Sequence, residues 1–460
     1  MSLSWIFAVL LILTAFGFVL GRRRSVAVVG GQTERLHSRP NYYGYYVAIW
    51  CGIPALLIIA VWLALEPRIF HSILLSGLTP EQRALSPGQI SLLLNDIRNL
   101  AMGNITSTQA DAAMQAAADR YAAVRNISHM ALAVVALAAA IAGLTYARTK
   151  VAPKMRARNR VESVIEVALI IASVIAILTT VGIVFSLIFE SSRFFLKIPI
   201  TQFLFGTEWS PQIALRADQV GASGAFGAIP LFVGTLLISF IAMCVAMPVG
   251  LLSAIYMAEY AHPKVRAVAK PILEILAGIP TVVYGFFAAL TVAPFFREMG
   301  QSLGLTVSSE SALAAGVVMG IMIIPFVSSL SDDVITAVPQ SMREGSYGLG
   351  ATKSETIRKV IMPAALPGIV GGFLLAISRA IGETMIVVMA AGLAANMTIN
   401  PLEAVTTVTV QIATLLVGDQ EFDSPKTLAA FALGLVLFCV TLVLNIIALR
   451  IVQKYREQYD

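Results

Sequence analysis

Nine runs of about 20 apolar residues, each long enough to cross a hydrocarbon core as a helix, govern what this chain can become. They lie near residues 2–20, 44–64, 129–147, 164–188, 229–256, 271–295, 312–330, 367–395 and 428–450. Apolar residues make up 58% of the chain and charged residues 13%, against roughly 45–50% and about 25% in soluble proteins. Most of the chain therefore belongs in lipid, and the expected fold class is an all-α polytopic membrane protein.

Successive spans alternate in direction, so the cations between them fix the orientation. With the C-terminus cytoplasmic, 21 of the 32 Lys and Arg residues fall in the cytoplasmic segments 21–43, 148–163, 257–270, 331–366 and 450–460, and ten fall on the other side. Five of those ten sit in the 65–128 loop, where the rule has little force because long loops cross largely regardless of charge. The N-terminus is expected outside and the C-terminus in the cytoplasm. The net charge of +6 comes from these flanking cations and points to lipid contact, with no nucleic-acid partner. The first span has no cation before it and Arg22, Arg23 and Arg24 after it, which fits an uncleaved anchor. Cys51, Cys244 and Cys439 lie in three different spans and read as buried apolar thiols; four scattered histidines suggest no metal site.

Residues 1–160 carry three spans and residues 161–460 carry six, with the boundary in the basic stretch Arg148 to Arg160. Within the 65–128 loop, Thr79-Pro80-Glu81-Gln82 and Ser86-Pro87-Gly88-Gln89 read as helix starts. Leu92, Leu93, Ile97 and Leu100 follow at helical spacing, predicting a small helical hairpin.

Arg379 is the one Lys or Arg left inside a span. It shares a helix face with Glu383 at i, i+4. A charge near mid-bilayer costs about 2.5–3.5 kcal/mol on insertion scales, so such residues face polar cavities and mark solute paths. An i, i+4 pair is worth only about 0.2–0.5 kcal/mol in isolated helices, too little to offset two such penalties. Arg also suits a tetrahedral oxyanion, because its planar fork donates two parallel hydrogen bonds. Arg379 and Glu383 are therefore the candidate substrate-path residues.

The segment 339–363 predicts a helix broken by Gly348 and Gly350, then a second helix started by a capping box of Thr352 and Glu355 and ended at Pro363. It resembles the EAA loop of ABC-transporter permeases, in which a Glu is followed six residues later by Gly and thirteen residues beyond by Pro. Glu344, Gly350 and Pro363 hold that spacing, with Gly345-Ser346 in place of two Ala and Val360 and Met362 in place of Ile and Leu. The resemblance implies that residues 331–366 couple to a cytoplasmic ATPase.

Phe205-Gly206-Thr207-Glu208-Trp209, Gly278-Ile279-Pro280-Thr281 through Gly285, and Arg379-Ala380-Ile381-Gly382-Glu383-Thr384-Met385 together look like the PstC family of phosphate-specific permeases over roughly residues 165–455. The resemblance implies a type I ABC importer core formed by the last six helices. It also implies three partners: a PstA-like second permease, a PstB-like ATPase dimer and a PstS-like periplasmic phosphate-binding protein. ATP and Mg would belong to the partner ATPase. Here Gly345 to Gly350 is followed by Ala351-Thr352, with Lys353 two positions late for a phosphate-binding loop, so this chain is expected to bind no nucleotide or other cofactor and to be no enzyme. Two other readings stay open: a permease for another tetrahedral oxyanion, and a secondary transporter or channel working alone, which would need internal repeats and discontinuous helices. An added signalling role for residues 1–160 is open as well.

Overall fold

The computed structural model describes residues 3–76, 87–104, 112–211, 224–417 and 423–455. Among these, nine helices are long and apolar enough to cross a membrane, as the nine apolar runs require. By contact the chain divides into two compact units, Met1–Ile177 and Leu178–Asp460.

In the first unit, α1 (Leu3–Val28), α2 (Pro40–Ser76) and α4 (Ala112–Lys150) pack together. Bilayer tails are as apolar as Leu, so helices associate through close backbone approach at small residues. Gly143 of α4 faces the Trp50 carbonyl of α2 so closely that any Cβ would overlap it. The Tyr43 hydroxyl donates to the Met155 carbonyl at 3.0 Å and pins the turn after α4 to α2. Near the far end of α2, Trp62 Nε1 donates to Ser128 Oγ at 3.1 Å, and Glu66 pairs with His129 at 3.2 Å.

The short helix α3 (Pro87–Ala101) begins where the second Pro-containing start places it; the Thr79–Gln82 start lies outside the described residues. Helix α3 packs on the extended N-terminal part of α4. Its buried apolar residues are Leu94 and Ile97, with Leu93 and Leu100 packed partly buried beside them; of the expected stripe only Leu92 is exposed. Burial of the cysteines also differs: Cys51 is buried, but Cys244 and Cys439 are exposed on the surface of the chain.

Helix α5 (Ala157–Phe195) runs through the division between units. The second unit continues with α6 (Ile200–Phe205), a two-residue antiparallel pair of β1 (Trp209–Ser210) and β2 (Ala225–Phe226), and α7 (Ile229–Ile255). A wide turn at Tyr256–Tyr260 leads to α8 (Pro263–Ala277). Next come α9 (Thr281–Phe287), a second wide turn at Ala288–Val292, and α10 (Ala293–Ser302). Helix α11 (Ala312–Ala337) packs against α7 at the centre of the unit, around Ile238, Ala242, Val318 and Ile323. The chain ends with α12 (Gln340–Gly348), α13 (Lys353–Thr356), α14 (Met362–Ile381), α15 (Met385–Ala390), α16 (Val408–Leu415) and α17 (Pro425–Tyr455).

Two of the expected spans are interrupted. The 271–295 run is broken because α8 ends at Gly278 and Pro280, with its fixed φ, opens α9. The 367–395 run is broken at Gly382-Glu383-Thr384. Conversely, the helix begun at Thr352 does not end at Pro363: it continues to Ile381. A wide turn at Ile357–Ile361, ending two residues before Pro363, re-registers the hydrogen-bond ladder where proline lacks an N–H and its ring needs room.

Candidate functional site: a cavity beside two helix breaks

The two broken helices meet. Helices α9 and α15 pack on each other, and a Cβ at Gly285 would lie 2.6 Å from Met389 Sδ and 3.2 Å from the Met385 carbonyl oxygen. The Gly278–Gly285 and Arg379–Met385 motifs are thus one structural feature, a crossing of two re-started helices.

Arg379 and Glu383 part company at the second break. Since α14 stops at Ile381, the i, i+4 geometry expected of them is lost. The Glu383 carboxylate turns to the α15 backbone, accepting from the Met385 N–H at 3.0 Å and from the Ile386 N–H at 3.5 Å. Carboxylates favour such helix starts because the first N–H groups have no partner inside the helix. The Glu383 carbonyl accepts from the Thr409 hydroxyl at 2.8 Å, which fixes the break against α16. The Arg379 guanidinium lies 5.5 Å from the centre of the Phe326 ring, a cation–π contact, and its side chain is exposed on the surface of the chain.

Arg379 borders a cavity of about 240 Å³ that runs along α11 and is also lined by Lys270, Glu274, Phe326, Ser328 and Asp332. Asp332 and Phe326 are six residues apart on α11, about 9 Å along its axis. At the Asp332 end, a carboxylate only 1% exposed is met from α8 by two cations. Arg266 Nη2 donates to both oxygens at 2.9 Å, and Lys270 Nζ donates to Oδ2 at 2.9 Å. The hydrogen bond to Asp332 holds the Lys270 ammonium above its ordinary pKa. Ser328 Oγ, fully buried in the same wall, has no hydrogen-bond partner among the described residues.

Beyond α11 comes the EAA-like segment, whose turn follows the expected design. Helix α12 ends at Gly348, and Gly350 has φ +82°. The capping box is complete: Thr352 Oγ1 accepts from the Glu355 N–H at 3.3 Å, and Glu355 Oε2 accepts from the Thr352 N–H at 3.0 Å. The Ser346 and Thr356 hydroxyls, 2.9 Å apart, tie α12 to the next helix. Glu344 is exposed, and Leu349 stands 92% exposed at the tip. Pro363 lies in the continuing helix, away from the turn.

The sequence reading missed two ion-pair clusters. One joins Asp332 to Arg266 and Lys270; the acidic pair Asp332-Asp333 directly after an apolar run was the available signal. The other joins Arg343 of α12 to Glu259, and no local spacing could reveal it, because 84 residues separate the partners. Trp209, read only as part of a motif, donates from Nε1 to Gln411 Oε1 at 2.9 Å and fixes the short β-pair on α16.

Residues 246–457 match the family model described as binding-protein-dependent transport system inner membrane component. Residues 7–179 match one described as phosphate ATP-binding cassette transporter, so the N-terminal part, which the resemblance had left outside, is itself a recognised segment. A probable ABC transporter permease protein, YqgH of Bacillus subtilis, is 33% identical over 56% of this chain and 78% of that protein. The phosphate transport system permease protein PstC of Mesorhizobium japonicum is 33% identical over 54% of this chain and 76% of its own length. PstC of Pasteurella multocida is 32% identical over 61% of this chain and 88% of its own. Among solved structures, a bacterial ABC transporter involved in the import of the acidic polysaccharide alginate is similar over 65% of this chain at 14% identity and a TM-score of 0.45, too distant to add to the assignment. With relatives matched at this identity over three quarters or more of their length, the chain belongs to the PstC family of phosphate ABC-transporter permease proteins.

Proposed function

We propose that this chain is a membrane subunit of an ATP-driven phosphate importer, in which Arg379 lines the anion's path and the α12 segment receives the stroke of a separate ATPase. The observation that carries the reading is the exposure of Arg379 on a membrane-spanning helix. A guanidinium facing lipid at that depth would carry a penalty of about 2.5–3.5 kcal/mol or more. Glu383, engaged with the α15 backbone, does not neutralise it. The exposed face of Arg379 therefore meets water or another protein, which supports a second, PstA-like permease closing the path from the opposite side. In that path the guanidinium replaces part of the anion's hydration shell, and its fork suits the oxygens of phosphate. Glu383 holds the break that aims it.

The exposed tip around Glu344 and Leu349 supports docking to a PstB-like ATPase dimer. A PstS-like binding protein would deliver phosphate at the other end. ATP and Mg would reside on the ATPase. Discontinuous helices had been a mark of a transporter working alone; here they occur in a chain of ABC permease ancestry, so they no longer favour that reading. Reconstitution of the chain with the three partner types tests the proposal. Phosphate uptake that depends on ATP and on Arg379 is expected, and uptake by this chain alone, or with sulfate preferred over phosphate, would overturn it.

A further inference from the structure

The cavity that Arg379 borders is also lined by two carboxylates, the buried Asp332 and Glu274, which would repel an anion there. The structure shows how that repulsion is cancelled and how it could be used. Arg266 bonds both Asp332 oxygens, so Lys270, whose other carboxylate neighbour is the exposed Asp333 at 3.5 Å, can leave without stripping Asp332 of its countercharge. Lys270 is also about one-third exposed, with a flexible stem free to swing, whereas Asp332 is 1% exposed and held in α11. Ser328 lines the same cavity, and its buried hydroxyl has no hydrogen-bond partner among the described residues. A buried polar group without a partner is costly and calls for an explanation. An oxyanion in the cavity would provide its partner.

We infer that Lys270 and Ser328 form a second oxyanion station below Arg379, and that Asp332 empties it by competing with the anion for the Lys270 ammonium. The inference rests on the proposed path through Arg379 and deepens it. An anion arriving from Arg379 takes a hydrogen bond from Ser328 Oγ and one from Lys270 Nζ, while Arg266 keeps Asp332 paired. Return of Lys270 to Asp332 withdraws the stronger of the two donors, and the neighbouring carboxylate then repels the anion onward. No bond is made or broken; one ammonium moves between the Asp332 and Asp333 carboxylates and the anion. The anion class is a tetrahedral oxyanion with at least one free charge, inorganic phosphate being the species to be tested.

The test uses the full complex in liposomes, with ³²P-labelled inorganic phosphate as probe. Lys270→Met leaves the Arg266–Asp332 pair in place, so the subunit should still assemble. Uptake should fall by about tenfold or more, the range set by losing one hydrogen bond to a charged group. Lys270→Arg should recover most of it. Asp332→Asn should retain more phosphate on the complex and release it slowly, and adding Lys270→Met to Asp332→Asn should speed release again. A Lys270→Met complex that transports normally, or one whose yield falls in proportion to its uptake while Lys270→Arg gives no rescue, overturns the inference. If Asp332→Asn does not assemble, the Lys270 pair of variants decides alone. The underlying reading fails separately: normal uptake by Arg379→Ala removes the path itself, whereas a dead Arg379→Ala beside a normal Lys270→Met removes only the second station.

Discussion

Arg343 Nη2 lies 3.0 Å from Glu259 Oε1, joining the EAA-like helix α12 to the wide turn that ends α7. Both side chains are nearly buried, at 11% and 7% exposure. The same guanidinium also donates to the carbonyls of Ile335 at 2.8 Å and of Val338, so it clamps three segments at once. Displacing α12 should therefore move α7 and α11 with it. Arg343→Met leaves Glu259 buried and unpaired, at a cost of about 3–5 kcal/mol. The expected result is a lower thermal midpoint and poor recovery of assembled complex. Glu259→Gln/Arg343→Met should regain much of the stability and still transport poorly. Wild-type uptake by that double variant would show that the clamp transmits nothing.

Arg379→Ala should abolish phosphate uptake while the subunit inserts and assembles at normal levels, since the guanidinium stacks on an aromatic face and makes no ion pair among the described residues. Arg379→Lys should also be poor, because an ammonium lacks the planar fork. Parallel measurement of membrane protein level and uptake separates the two roles, and equal losses in both would make Arg379 structural.

Gly350 has φ +82° with open space around the position a Cβ would take, so any penalty there is purely conformational. An L-residue forced into this region pays about 1–2 kcal/mol, and a β-branched one more. Gly350→Val should misdirect the start of the helix at Thr352 and lose both transport and the ATPase stimulation caused by loaded binding protein. Gly350→Asn, which tolerates this conformation, should be much milder. Equal behaviour of the two variants would show that the turn geometry does not matter.

Gly285→Val should disrupt the crossing of α9 and α15. Its first added carbon would meet Met389 Sδ and the Met385 carbonyl, and a backbone oxygen cannot move aside as a side chain can. Overpacking of this kind costs about 1–3 kcal/mol. A fall in the thermal midpoint is expected, with uptake lost even at temperatures where the subunit remains folded, because the break that aims Arg379 is shifted. Full uptake at wild-type stability would contradict this geometry.

Topology can be read with single cysteines at Arg156 and Ser91, after Cys51, Cys244 and Cys439 are replaced. A membrane-impermeant thiol reagent added outside intact cells should label position 91 and spare position 156. The reverse pattern would invert the orientation drawn from the cations.

Which features were legible in the sequence follows from the range of the forces involved. Transfer of apolar side chains into lipid depends on composition over about 20 residues, so the nine spans can be counted from the chain alone. Capping is equally local: Thr352 and Glu355 are three residues apart, and their box forms as expected. Gly350 at positive φ belongs to the same class. Helix continuity was harder to read, because hydropathy runs straight through Gly278-Ile279-Pro280 and Gly382-Glu383-Thr384, yet the helices stop there. At Pro363 the error had the opposite sign, as a wide turn rescued a helix that proline should have ended.

The sequence by itself determined the membrane class, the number of spans and the local turn of the EAA-like segment, because each rests on neighbours along the chain. Only the tertiary structure decided what the charges do. Arg379 and Glu383, four residues apart, are separated by a helix break, while Arg343 and Glu259, 84 residues apart, are brought into contact. Asp332 similarly draws Arg266 and Lys270 from a helix more than 60 residues earlier. Ion pairs act over a few ångströms in space, and sequence distance carries no information about that once helices fold back on one another.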